Sequence, residues 1–203
     1  MKHFFPPRRS GSFFLIGTLT FCLVLASFVS NAQNRWSVEF RPGFNLPTSD
    51  AADGDLKNGF GLEGTVAYRF LPNLSAYAGW SWNRFGSKES FAGTDLDFEE
   101  TGYTYGLQFL YPLGASETSL LLRAGGLWNH VEIEDDDGNT LFDTGHGFGW
   151  QVEAGLSIPL AERFRLQPSV RYRSFSGGLE IGPFSRDLDF KYISLGLGLS
   201  YIF

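Results

Sequence analysis

From Trp36 onward, apolar and polar residues alternate with a period of two. Trp36, Val38 and Phe40 alternate with Ser37, Glu39 and Arg41, and Phe60 to Phe70 run the same way against Gly61, Glu63 and Arg69. The rhythm repeats at Leu74–Trp82, Tyr103–Tyr111, Leu120–Trp128, Phe148–Ile158, Phe164–Tyr172 and Ile193–Phe203. Such alternation is the signature of a half-buried β-strand, and no helical stripe of comparable length competes with it. Eight strands are predicted. Three connections are short and open with proline, at Leu71-Pro72-Asn73, Tyr111-Pro112-Leu113 and Ile158-Pro159-Leu160. Proline cannot donate to a ladder, so it ends each strand there. The other four connections, 47–55, 86–97, 134–147 and 176–189, are long, and with their flanks they hold 17 of the 22 acidic residues. Short turns alternating with long loops predict an all-β, eight-stranded antiparallel up-and-down barrel.

The first 32 residues follow another logic. Lys2, Arg8 and Arg9 precede the apolar run Phe13–Val29, and Ser30-Asn31-Ala32 places small residues before Gln33. A basic start, an apolar centre and a small-residue site predict a secretory signal peptide cleaved between Ala32 and Gln33. Cys22 follows the bulky Phe21 inside the apolar run, which does not suit a lipid-attachment cysteine. The expected organisation is therefore a leader over 1–32 and one barrel domain over 33–203. Removing the leader takes the 16 basic residues to 13 against 22 acidic ones, a net charge of −9. That balance argues against nucleic acid as a partner. The lone Cys lies in the leader, which leaves no disulfide framework and no Cys-based zinc site.

Alternation alone does not say which face is wet. The less apolar set of most strands is Gly, Ser, Thr, Gln, Glu and Arg, which suits the narrow interior of eight strands. Aromatic residues gather toward both strand ends: Trp36, Phe70, Tyr111, Phe164, Tyr201 and Phe203 at one, Phe60, Trp80, Trp82, Trp128, Trp150 and Tyr172 at the other. Two such belts match the two interfaces of a membrane. A soluble ligand-binding barrel would need the apolar face inside, so the expected orientation is polar in, apolar out.

The final strand, Leu195 to Phe203, ends on Tyr201-Ile202-Phe203 and resembles the recognition signal of bacterial outer-membrane barrels. The whole predicted mature chain resembles the small eight-stranded OmpA/OmpX-like family of outer-membrane β-barrel proteins. That resemblance implies an outer-membrane location with both termini periplasmic, a monomer, and outer-membrane lipid and the barrel-assembly machinery as partners. Tyr201 and Phe203 then act as the assembly signal. The chain stops at Phe203, so peptidoglycan anchoring by a following soluble domain is not expected. One fold hosts many functions, so the resemblance says little about activity.

Candidate chemistry lies in the inward set. Glu39, Glu63 and Glu153 share the lumen with Arg41, Arg69, Arg123, Arg165, Arg171 and Arg173. Paired carboxylates suit acid–base work, but buried charges must find partners and the planar Arg fork suits carboxylates. An ion-paired plug with excess positive charge is the expectation. His130 and His146 sit near the third long loop. A lipid A-modifying enzyme would need a Ser-His-acid set there, and no Ser is adjacent in sequence. Asp135-Asp136-Asp137-Gly138-Asn139 fails the EF-hand pattern, since Ile133 and Thr144 fall on ligand positions. No catalytic residue, metal site or cofactor is assigned. A structural or interaction barrel is the leading expectation, with a small pore as alternative. An apolar-solute exit of the OmpW-like kind would need an apolar lumen, which this inward set is not expected to provide; what the acidic loops bind is left open.

Overall fold

The computed structural model describes residues 34–48, 56–90, 93–135, 137–181 and 184–203. The predicted leader with its Ala32/Gln33 cleavage point, most of the first long loop and Asp136 lie outside them. Among the described residues nine strands follow in chain order: β1 (Trp36–Pro47), β2 (Leu56–Leu71), β3 (Leu74–Ser90), β4 (Gly93–Pro112), β5 (Ser119–Glu134), β6 (Thr140–Asp143), β7 (Gly147–Pro159), β8 (Phe164–Ile181) and β9 (Phe184–Ile202). The eight long strands pair antiparallel with their chain neighbours. The β1–β9 ladder closes the ring of eight long strands, so none of these presents a free edge along its membrane-level ladder. Beyond its register Ser37↔Ile202, the Phe203 amide donates to the Trp36 carbonyl at 2.9 Å.

The short connections turn where proline was read. β2 and β3 are joined through Pro72 and Asn73, with Leu71 paired to Leu74. Gly114, at φ 65°, supplies the left-handed residue of the next turn, a conformation that favours glycine.

Three of the four long connections differ from expectation. Residues 86–97 and 176–189 largely continue the ladders, pairing Gly86 with Asp97, Ser87 with Leu96, Ser176 with Asp189 and Gly177 with Leu188. The reason is inside the barrel. Phe85, Leu96, Phe98, Phe175, Leu188 and Phe190 keep the inward phase and are buried, so the hairpins are held by apolar contact. The described acids of these stretches, Asp95, Asp97 and Asp189, lie outside the lumen, with Asp95 and Asp189 exposed, which makes the stretches resemble loops. The third connection carries the unanticipated β6, which pairs with the end of β5 through Ile133↔Phe142 and Glu132↔Asp143. It takes over where the β5–β7 ladder ends at Asn129↔Gly147.

The outer wall is apolar. Phe40, Phe44, Val66, Leu107, Leu122, Val152, Val170, Leu195, Leu197 and Leu199 are all exposed. Aromatic pairs ring both ends: Trp36–Tyr68 and Phe164–Tyr201 at the turn end, Phe60–Trp82, Trp128–Phe148 and Trp150–Tyr172 at the loop end. Tyr103 and Tyr111 on β4 stand eight residues apart. At about 3.3 Å per residue and a tilt of about 40°, that is about 20 Å along the axis, near the roughly 25 Å apolar band of outer-membrane barrels.

Candidate functional site

The strand pleat sends every second side chain of eight strands into one narrow lumen, so residues distant in sequence meet there. In its middle lies an ionic network. Arg171 grips Glu63 through both guanidinium ends, at 2.5 and 2.9 Å, and reaches Glu153 at 3.0 Å. Arg173 also pairs with Glu63, while Arg41 bridges Glu39 and Glu153. Arg123 pairs with Glu39, donates to Gln108 Oε1 at 2.8 Å through Nε, and lies over the Tyr77 ring at 5.3 Å. Tyr77 fits across the lumen because Gly125 faces it. A Cβ at residue 125 would stand 2.6 Å from the Tyr77 hydroxyl and 2.0 Å from the Tyr105 carbonyl.

Toward the loop end follows a polar layer around Glu100, which is fully buried. It accepts from Asn129 Nδ2 at 2.7 Å, Asn83 Nδ2 at 3.1 Å and the Tyr192 hydroxyl, with Arg173 Nη1 at 3.8 Å. Arg173 in turn donates to Gln151 Oε1 at 2.9 Å and Ser81 Oγ at 3.0 Å. Above this layer the lumen becomes apolar. Phe85, Leu96, Phe98, Val131, Ile133, Phe175, Leu188, Phe190 and Tyr192 form one cluster, with Leu56 and Phe142 against it. Phe85 meets Phe190 and Tyr192 edge-on at 4.9 and 5.0 Å.

Three corrections to the inward set follow. Arg69 is exposed at the turn end beside Arg35. Arg165, half-buried, donates to Ser157 Oγ at 2.9 Å and to the Glu117 carbonyl at 2.5 Å. Both have the inward phase, but they lie at the mouth, where the barrel opens to water and, among the described residues, no carboxylate pairs with them. Glu100, read as a loop-flank acid, joins the lumen instead. Its phase with Gly102 and Thr104 was the available signal. The expected excess of positive charge therefore vanishes: the buried charged side chains among the described residues are Arg41, Arg123, Arg171 and Arg173 against Glu39, Glu63, Glu100 and Glu153. The third correction is the apolar cluster, since the lumen was expected to be polar throughout.

Outside the lumen, His130 and His146 do come together. The His130 Nδ1 stands 3.2 Å from Nε2 and 3.4 Å from Nδ1 of His146, and its Nε2 lies 3.4 Å from Glu132. At the third loop Asp135 organises a tight turn, accepting from the Asn139 and Asp137 amides at 2.8 and 3.0 Å. These hydrogen bonds, that from the Asn139 amide foremost, hold its carboxyl below the usual range. Tyr201 stacks edge-on with Phe203 at 5.1 Å on the outer wall.

The comparisons with known proteins agree with this architecture. Neisserial surface protein A (NspA) is 15% identical, with 83% of this chain and 97% of that one aligned at a TM-score of 0.60. OprG of Pseudomonas aeruginosa is 15% identical over 85% of this chain and 99% of its own, at 0.54. Outer Membrane Protein W of E. coli is 15% identical over 84% and 98%, also at 0.54. At such identities the likeness establishes the fold alone. No curated protein matches. Residues 19–203 match the family described as the outer membrane protein beta-barrel domain, and the chain belongs to that family.

Proposed function

We propose that this protein is a sealed outer-membrane barrel whose work is done at its loop rim, as a structural or interaction protein, and not by conduction or catalysis. The observation that carries this reading is the lumen: a charge-balanced ionic plug capped by an apolar cluster, with Arg173 and Phe98 both nearly or wholly buried. An ion crossing it would have to part both layers. In this reading the short turns and both termini face the periplasm, the loop end faces outward, and the barrel is a monomer. Lipid surrounds the apolar wall, and the assembly machinery reads Tyr201 and Phe203. The predicted leader over 1–32 delivers the chain there. The charge distribution supports this placement, because the exposed turn end is close to balanced, Arg35, Arg69 and Arg163 against Glu117 and Glu162, while Asp97, Glu99, Glu132, Asp143 and Asp189 make the outside of the loop end acidic. The test is conductance in planar bilayers. No steady channel is expected, and stable open channels would overturn the reading.

A second reading rests on the apolar cluster. A small transport barrel for an apolar solute would use such a lining, and the solute would have to leave sideways because the ionic plug blocks the axis. Uptake of an apolar solute into cells that depends on this protein, without ion conductance, would favour it over the sealed barrel.

A further inference from the structure

We propose that His130 and His146 form a chelate for a transition-metal cation, of the Cu²⁺, Ni²⁺ or Zn²⁺ class, on the outer wall at the loop end. Two imidazole nitrogens each about 2.0–2.1 Å from one tetrahedral ion lie roughly 3.3 Å apart. The His130 Nδ1 stands 3.2 Å from Nε2 and 3.4 Å from Nδ1 of His146, with the rings crossed at 78°, so the spacing already suits a shared ion and a turn of the His146 ring brings one of its nitrogens to bear. The other nitrogen of His130 faces Glu132 Oε1 at 3.4 Å, where a carboxylate orients a metal-bound imidazole and raises its basicity.

Both ligands sit on pinned backbone. His130 belongs to β5, and the segment leading to His146 is tied to it. The Thr144 amide donates to the Val131 carbonyl at 3.0 Å, and the Val131 amide donates to Thr144 Oγ1 at 2.9 Å. Gly145, at φ 63°, makes the bend that returns the chain toward β5, and its amide donates to Asp143 Oδ1 at 2.8 Å. The His146 ring is stacked on Trp128, with centroids 6.0 Å apart.

The ligand type selects the ion. Neutral imidazole suits copper, nickel and zinc, whereas magnesium and calcium prefer oxygen. Among the described residues no group of three metal-ligating side chains gathers, so water completes the coordination. The affinity then follows the order Cu²⁺ above Ni²⁺ and Zn²⁺, in place of the closed shell of a structural zinc. Glu132 is cross-strand to both Glu99 and Asp143, so the surrounding field is negative and concentrates cations.

The experiment uses the protein purified from membranes in detergent without a histidine tag. Copper and nickel are titrated against tryptophan fluorescence, for which Trp128 is a built-in reporter. Wild type should be quenched by Cu²⁺ and bind it at least about tenfold more tightly than either His130→Ala or His146→Ala, since a chelate loses its second, effectively intramolecular bond. Magnesium should have no effect, and Glu132→Gln should bind more weakly while keeping both ligands. Heat-dependent gel mobility confirms that each variant is folded, and His→Gln versions serve where an alanine variant is not. Absence of quenching, or equal affinity in wild type and either single variant, would overturn the chelate.

Discussion

Glu63 sits between two guanidinium groups, those of Arg171 and Arg173, in a lumen that leaves it 4% exposed. Its charge is stable there only because both partners are present. Replacing it with alanine takes the close carboxylate from Arg173 and leaves Arg171 with Glu153 alone, and breaking such a buried pair typically costs about 3–5 kcal/mol. Glu63→Ala and Glu153→Ala should therefore lower the urea midpoint of the detergent-solubilised barrel strongly, whereas Asp137→Ala, on the exposed third loop, should stay within about 0.5 kcal/mol of wild type. Equal midpoints for the three variants would show that the lumen is hydrated enough to screen its charges. Asp135 makes a pH-dependent case. Its carboxylate is favoured in the folded turn, so the turn's added order is complete above the ordinary Asp value of about 3.9. It is lost as pH falls below that, through the lower folded value. Protection of the Asn139 amide against hydrogen exchange should hold from neutral pH down to about 4 and then fall, and Asp135→Asn should abolish that dependence.

Among the elements, the extended hairpins of β3–β4 and β8–β9 depend on the apolar cap. Phe98 is wholly buried within it, and truncating such a side chain to alanine costs about 3–5 kcal/mol. Phe98→Ala should loosen the hairpin ends, seen as faster proteolysis between 86 and 97, yet leave bilayer conductance at zero because the ionic layer beneath is intact. Appearance of channels in this variant would place the seal in the cap and not in the ion pairs. β9 makes the opposite case. Phe203 is 45% exposed on the outer wall and contributes one backbone hydrogen bond to the closing seam, so its removal takes little from the finished fold. Deleting it should reduce the amount of assembled barrel in cells while the barrels that do form unfold at the wild-type urea concentration. Normal assembly without it would make the terminal ring a lipid-facing side chain only.

For the molecule as a whole, the eight long strands close on themselves through the β1–β9 ladder, and the apolar wall needs lipid or detergent. Unboiled protein should migrate differently from boiled protein on a denaturing gel, and it should fractionate with membranes. Recovery in a detergent-free soluble fraction would contradict the membrane placement. Eight strands were readable from alternation because the strand period is an intrinsic property of the backbone, while the wet face was read from the small polar inward set and the aromatic belts. The period survives whatever the partner strands are. The two aromatic belts were readable for the same reason, since they depend only on position along each strand.

Three features needed the folded chain. Which inward charges pair depends on height in the barrel, and height depends on register between strands up to 112 residues apart, as with Arg41 and Glu153. Arg69 and Arg165 share the phase of the network but stand at the open mouth, while Glu100, among acids facing water, stands at its centre. The strand ends were hidden because acidic outward residues look alike on a loop and on a hairpin rising above the membrane. Only the apolar cluster inside distinguishes them. His130 and His146, 16 residues apart, meet because β6 folds back on β5, a local pairing too short to announce itself in the pattern.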